Sequence, residues 1–312
     1  MNFKSLPQLL DHLKDEETAI KYYENIRWNG KPVCPHCSID KAPYVTKVGY
    51  KCSDSDCGMK FSVRVGTIFY RSPIKMRIWM AAFFLVTSHK KGISSVQLGL
   101  DLGVTQKTAW FMIHRIRETF KEKQPVVLGA DNVVEADETH IGGKEKNKHT
   151  LKKRSDDNKD LTNEGLPYEP KKVVIGLIEK DGGKVVLQYI DSASGPNAEE
   201  FILKNVVEEA TLHTDDSPIY NGIMDKHLTV THSSNIFVDG DIHTNTIENF
   251  WSVMKRGLYG VYHQVSGKYL PAYLNEYAGR FNTRLMETEE RMVKFLKEGG
   301  ERYLSRIELV NR

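Results

Sequence analysis

The four cysteines of this 312-residue chain all fall between residues 34 and 57, as Cys34-Pro35-His36-Cys37 followed by Cys52 and Cys57. With no cysteine elsewhere, the clustering argues against a disulfide framework and for a metal knuckle. Two thiol pairs, each on a tight turn, close a tetrahedral Zn²⁺ site, and a filled four-thiolate shell leaves no position open for chemistry, so the ion is structural. Between the pairs, Tyr44-Val45-Thr46-Lys47-Val48-Gly49-Tyr50-Lys51 reads as a hairpin and Phe61-Ser62-Val63 as a further strand. A small β zinc ribbon is predicted over residues 1–70, behind an N-terminal helix, with Cys34, Cys37, Cys52 and Cys57 replacing a core too small to hold itself together. The second pair is wider than CxxC, and His36 is an alternative ligand, although the cysteines already complete the shell.

Behind the ribbon the pattern becomes helical. Ser72-Pro73 predicts a helix start, with Ile78, Trp79, Ala82, Phe83 and Val86 at helical spacing up to about residue 90. Ser94 and Gln97 then have capping-box spacing, and Leu102-Gly103 closes the short helix they open. A second helix follows from Thr105 through Arg117. Two short helices joined by a turn containing glycine are what a DNA-reading helix-turn-helix requires, predicted here over residues 71–124. Its second helix offers Gln106, Lys107, Thr108, His114, Arg115 and Arg117 to bases or phosphates, Lys107 and Arg115 foremost. An ordinary helical hairpin with a solvated basic face is the alternative. The net charge of +3 does not itself demand a nucleic-acid partner; what matters is where the charge lies.

After Pro125 the texture changes to alternating strands and helices. Strands are predicted at 133–139, 173–178 and 185–190, the last two joined by Asp181-Gly182-Gly183. A helix from Asn197, a strand at 211–214, a helix at 220–226, a strand at 228–231 and a helix through Lys255-Arg256 follow. Residues 144–172 form a polar, lysine-rich loop. This order is that of an α/β RNase H-like domain with a mixed sheet, predicted over residues 125–290 and followed by a helical tail at 291–312. In such a fold Asp137 and Asp215 at strand ends and Glu248 on a later helix could meet on one edge, where hard oxygen ligands suit Mg²⁺. Each acid also has a structural reading. Asn245 and Glu248 have capping-box spacing, Asp215 could start the turn before Ser217-Pro218, and Asp137 could be an ordinary strand-end acid. Spacing alone does not decide.

Several blocks then resemble one family in the same order along the chain. They are the cysteine knuckle through Gly66-Thr67-Ile68-Phe69, Lys91-Gly92-Ile93-Ser94 with Thr108-Ala109-Trp110, and Val134-Glu135-Ala136-Asp137-Glu138-Thr139 with Gly142-Gly143-Lys144. Thr214-Asp215 with Tyr220 comes next, followed by His243-Thr244-Asn245-Thr246-Ile247-Glu248-Asn249-Phe250-Trp251-Ser252, Lys255-Arg256-Gly257, Tyr262-His263 and Arg280-Phe281-Asn282-Thr283-Arg284. The chain resembles the DDE-type insertion-sequence transposases that carry a zinc ribbon ahead of an RNase H-like domain. The resemblance implies metal-dependent cleavage and transfer of DNA strands at the ends of a mobile element. It makes Asp137, Asp215 and Glu248 ligands for Mg²⁺ (or Mn²⁺), and puts Lys255, with Arg256 beside it, on DNA near the site. The implied partners are double-stranded DNA, as terminal inverted repeats and target, and a second copy of the chain, or more, in the synaptic complex. Some members carry Asn as the third ligand, which keeps Asn245 and Asn249 open.

Two rival readings stand beside this one. The first is a non-catalytic DNA-binding regulator derived from a transposase, against which the intact acids and Lys255 argue. The second is an RNase H-like nuclease for junctions or hybrids, against which the N-terminal modules and the basic 144–172 segment argue. The N-terminus has no apolar signal-peptide core and the longest apolar run, near residues 78–86, is too short to span a bilayer. A cytoplasmic, nucleoid-associated protein with no membrane partner is therefore expected.

Overall fold

A computed structural model of the chain describes residues 3–130, 133–143, 145–167, 170–180, 183–230 and 243–311, with the backbone alone at Glu145. Lys144, the Asp181-Gly182 pair of the expected turn, and Thr231 at the end of an expected strand lie outside them. The chain divides into two units, Met1–Glu122 with Asn275–Arg312, and Lys123–Leu274.

The first unit opens with α1 (Leu6–His12) and α2 (Glu16–Trp28), capped by Ser5 and Asp15. Strands β1 (Tyr44–Thr46), β2 (Gly49–Lys51) and β3 (Lys60–Phe61) form an antiparallel sheet in that order, the predicted ribbon. Its apolar filling is small: Phe61 stacks on Tyr50, and Trp28 sits edge-on to both. Helices α3 (Met76–Ser88), α4 (Ser95–Leu102) and α5 (Gln106–Glu118) follow. The start expected at Ser72-Pro73 is not used. Instead α3 begins at Met76, because Glu16 at the head of α2 accepts the N–H groups of Met76 and Arg77 at 2.7 and 3.1 Å. Ser72 is drawn away to Ile74 N–H and the Trp79 indole.

Helix α4 starts and stops where the sequence indicates. The Ser94 hydroxyl accepts from Gln97 N–H at 3.1 Å, and Gly103, at φ 66°, ends the helix in the left-handed region that glycine tolerates. Only half of the capping box forms, since the Gln97 amide turns to Asp101. Thr105 then caps α5.

In the second unit, β4 (Val133–Ile141), β5 (Lys172–Glu179), β6 (Val185–Ile190), β7 (Thr211–Asp215) and β8 (His227–Val230) form one sheet, ordered β6-β5-β4-β7-β8. The first three strands pair antiparallel, and β4, β7 and β8 run parallel. Helix α6 (Gly195–Asn205) connects β6 to β7 and packs Phe201 and Ile202 on Val134, Ala136, Ile175, Leu177 and Leu212. The helix expected at 220–226 is replaced by a single 3₁₀ turn, Pro218–Tyr220, followed by turns. Three residues remain between Ser217-Pro218 and the Gly222 bend at φ 74°, too short a run for a helix. Helix α7 (Asn245–Gly257) packs against β4 and β5. The lysine-rich segment carries two 3₁₀ turns, Glu145–Asn147 and Thr150–Lys152.

The chain ends with α8 (Leu270–Asn282), α9 (Thr288–Glu298) and α10 (Arg306–Val310). Met292, Phe295 and Leu296 of α9 are buried in the same core as Tyr23, Trp79, Phe83, Ile113 and Phe120, so this segment completes the first unit. Also in that unit, Glu276 is fully enclosed between Arg117 and Arg280, each 2.6 Å away. Burial alone would push its carboxyl up, and the two guanidiniums outweigh this and hold it at about 2. No helix among the described residues is long and apolar enough to cross a membrane.

Candidate functional site

The ribbon brings Cys34, Cys37, Cys52 and Cys57 together with all four sulfur atoms within 4.8 Å of one another. The Cys34–Cys57 and Cys37–Cys52 separations are 3.8 and 3.5 Å. Zinc–thiolate bonds near 2.3 Å in a tetrahedron require sulfur separations of about 3.8 Å, so the spacing fits the ion. The wide Cys52–Cys57 loop is closed by the Gly58 N–H bond to Asp54 and by left-handed Gly58 at φ 51°. His36 is exposed and stands outside the cluster.

In the second unit strand alternation sorts the acids of β4. Val134 and Ala136 enter the core shared with α6, so Glu135 and Asp137 face the other way, toward α7. The parallel register pairs Glu135 with His213, and Asp215, two residues further along its strand, lies near enough for its charge to act on Asp137. Asp137 accepts a bond from the Trp251 indole at 2.9 Å. Burial, reinforced by the charges of Glu138 and Asp215, pushes its carboxyl up to about 7 against that bond. Trp251 reaches Asp137 across β5 at Gly176, the cross-strand partner of Asp137, where a Cβ would lie 2.6 Å from the indole.

Helix α7 is fixed to β4 by a second acid. Fully buried Glu135 accepts from Ile247 N–H at 2.9 Å and from the Thr246 hydroxyl at 2.8 Å, with His243 Nδ1 at 3.1 Å. It supplies an anion to the helix N-terminus, where the partial positive charge lies. The capping box expected of Asn245 and Glu248 is thereby replaced. The cap position is Thr244, whose hydroxyl donates to Glu248 at 3.2 Å, and Asn245 is exposed. Glu248 is exposed one turn before Trp251, and Lys255 is half-buried one turn after it. Burial lowers the Lys255 ammonium, as does Lys171, while Asp137 opposes the shift. Arg256 is exposed on the next position.

Asp215 also makes the turn bond that its place before Ser217-Pro218 allows, accepting from Ser217 N–H at 3.1 Å. Glu138, on the opposite face from Asp137, accepts the hydroxyl of buried Tyr220 at 2.6 Å and so joins β4 to the turn after Asp215. Thus Asp137 and Asp215 are neighbours and Glu248 is carried by the helix bonded to Asp137. Among the described residues, however, only the four cysteines have donor atoms close enough to share one ion. Glu135 and Gly176 were not singled out in the sequence; the alternation Glu135-Ala136-Asp137 was the available signal for the first.

On α5, Gln106 and Lys107 at the start of the helix are exposed and Thr108 is half-buried. The DNA contact expected of His114, Arg115 and Arg117 is corrected, because all three are buried. The Arg115 guanidinium is spent on the carbonyls of Ile68, Tyr70 and Leu304 at 2.7–3.0 Å, and Arg117 on Glu276.

A mixed α/β sheet with acids on adjacent parallel strands, preceded by a small β zinc ribbon, has the layout of an RNase H-like domain behind a metal knuckle. Residues 129–282 match the ISXO2-like transposase domain, and residues 14–60 match the transposase zinc-ribbon domain. The chain thus carries a DDE-type transposase domain of the IS1595 family behind a transposase zinc ribbon. It is also 25% identical over 251 residues to an uncharacterized protein in transposable element ISH50 of Halobacterium salinarum, covering 78% of this chain and 83% of that protein.

Proposed function

We propose that this chain is an active transposase that cuts DNA at the ends of an insertion sequence and joins the freed ends to a target. The observation that carries the reading is the nearness of Asp137 and Asp215, whose charges interact from adjacent parallel strands, with Glu248 on the helix bonded to Asp137. Asp137, Asp215 and Glu248 would hold Mg²⁺ or Mn²⁺. The donor set is all hard oxygen, and Asp137 is a buried acid whose ionisation is opposed by neighbouring acids, an environment that a divalent cation relieves. Bound there, such ions activate an attacking hydroxyl and stabilise the leaving oxygen of a phosphodiester. Trp251 orients Asp137, Glu135 holds α7 in place, and Lys255 presents a cation to the DNA phosphates beside the acids, with Arg256 next to it. The exposed start of α5, with Gln106, Lys107 and Thr108, reads the terminal repeats as the second helix of a helix-turn-helix with α4. Two copies of the chain bring two ends together.

The test uses the full chain and labelled end DNA with Mg²⁺ and again with Mn²⁺. Asp215→Asn and Glu248→Gln are expected to abolish cleavage and leave DNA binding intact. A wild-type protein that binds ends but cleaves in neither metal would instead be the non-catalytic regulator. Preferential cutting of junctions or RNA–DNA hybrids would make it a nuclease. Full activity in Asn245→Ala beside none in Glu248→Gln separates the acid from the amide.

A further inference from the structure

Beyond the end of β4 lies a cleft of about 660 Å³, bounded by the lysine-rich segment and the turn that ends α7. Lys148, Lys152, Lys171 and Lys172 line it, against one acid, Glu164, among the described residues. The opposite wall comes from one π-helical turn, Leu258–Tyr262, and from His263 at φ 60°, a backbone conformation unusual for a residue with a side chain. Single π turns of this kind are concentrated at functional sites. Tyr259 in that turn is 43% exposed and lines the cleft, and its hydroxyl accepts from Gly142 N–H at 3.2 Å, which fixes one end of the ring.

The cleft lies at the end of the strand that carries Asp137. Lys172 pairs with Ile141, four residues along β4 from Asp137, a distance of about 13 Å at the rise of a strand. Lys171 is near enough to Lys255 to oppose its charge, and Lys255 in turn feels Asp137. A basic groove with an aromatic face is the combination that binds unpaired nucleic acid, with cations on the backbone and a ring under a base. The volume admits a nucleotide or two of one strand and excludes a duplex, whose major groove alone is about 12 Å wide.

We propose that this cleft holds an unpaired stretch of the DNA strand next to the reacting phosphate, with Lys148, Lys152 and Lys172 on its phosphates and Tyr259 stacked beneath a base. The proposal rests on the transposase reading and specifies the form of DNA that the same site takes: a frayed end, selected without regard to sequence. Any base offers a face to Tyr259, and phosphates carry no sequence information.

Binding of the full chain to two fluorescent DNAs tests it, in EDTA so that no strand is cut. One is a blunt duplex end, and the other is the same end with four unpaired nucleotides. The wild type is expected to prefer the unpaired end by about ten-fold, within the range that one base–aromatic stack supplies. Tyr259→Ala should remove the preference and Tyr259→Phe retain it. The double variant Lys148→Ala with Lys152→Ala should flatten the salt dependence for the unpaired end by roughly 0.7 per lost contact. An undiminished preference in both Tyr259→Ala and the lysine variant, each with a wild-type melting temperature, overturns the proposal, as does a wild type without preference. Cleavage with Mg²⁺ is scored separately. A protein that keeps the Tyr259-dependent preference but never cuts loses the catalytic reading alone, and one that cuts without preference loses only the cleft.

Discussion

Trp251 on α7 holds one oxygen of Asp137 on β4, its indole N–H donating at 2.9 Å across a position, Gly176, that has no side chain to obstruct it. Trp251→Phe keeps the bulk and removes the bond. It is expected to lower cleavage by about 10–100-fold, the usual cost of removing a partner that orients a ligand. Gly176→Ala should also destabilise the fold by about 1–3 kcal/mol through overpacking. Steady-state cleavage and urea unfolding of the two variants check this, and normal cleavage by Trp251→Phe would remove the orienting role.

Glu135 is expected to matter for stability without touching substrate. Glu135→Gln keeps the shape but weakens the bonds to Ile247 and Thr246, and should cost about 1–3 kcal/mol in chemical denaturation. Asn245→Ala should cost far less, since Asn245 is exposed and the anchor comes from β4. Equal losses in the two variants would return the helix start to Asn245.

One zinc per chain is expected in the purified protein, and Cys34→Ser combined with Cys37→Ser should release it. Metal analysis decides the point; zinc retained in full by the double variant would place the ion elsewhere.

Lys107 and Arg115 should now behave differently. Lys107→Ala is expected to weaken binding to terminal-repeat DNA and reduce its salt dependence by about 0.9, one phosphate contact. Arg115→Ala strands three buried carbonyls and should instead lower the melting temperature. Anisotropy titrations beside thermal melts separate the two, and a stable Arg115→Ala protein with weakened binding would contradict the burial argument.

Acid should attack the buried triad of the first unit. Glu276 is held at about 2 against an ordinary 4.5, so the native state binds fewer protons between those values. Its contribution is present above about pH 4.5 and is lost as the pH falls toward 2. Glu276→Gln should cost about 3–5 kcal/mol at neutral pH by leaving Arg117 and Arg280 buried without their anion. The variant should also show a shallower loss of stability on acidification; parallel acid-unfolding curves would contradict this.

Local chemistry made much of this legible in the sequence. The cysteine spacing declared the ribbon, and Ser94, Gly103 and Thr105 marked α4 and α5 almost to the residue because caps act over three or four positions. Asp137 and Asp215 were visible as acids on strands. Long-range partners were not visible. Glu16 sets the start of α3 from 60 residues away, and Glu135 sets that of α7 from 112. Likewise Arg115 reads as a basic helical surface residue until the carbonyls of Ile68, Tyr70 and Leu304 are seen around it. Helical spacing marks a charge as solvent-facing and carries no sign of a buried guanidinium whose partners are main-chain atoms.

The unit holding the ribbon and α5 is encoded in two pieces, Met1–Glu122 and Asn275–Arg312, with the whole other unit written between them. On the ribosome, Trp79 and Phe83 emerge early, but α9, which completes their core, is made only when residues 288–298 are reached. At about 5–20 residues per second the nascent chain carries that unfinished apolar surface for on the order of ten to forty seconds. The intervening unit has time to fold in the meantime, whereas the core around Trp79 and Phe83 is complete only once α9 is made. A message broken before α9 is therefore expected to yield a polypeptide cleared by proteases rather than a stable truncated protein.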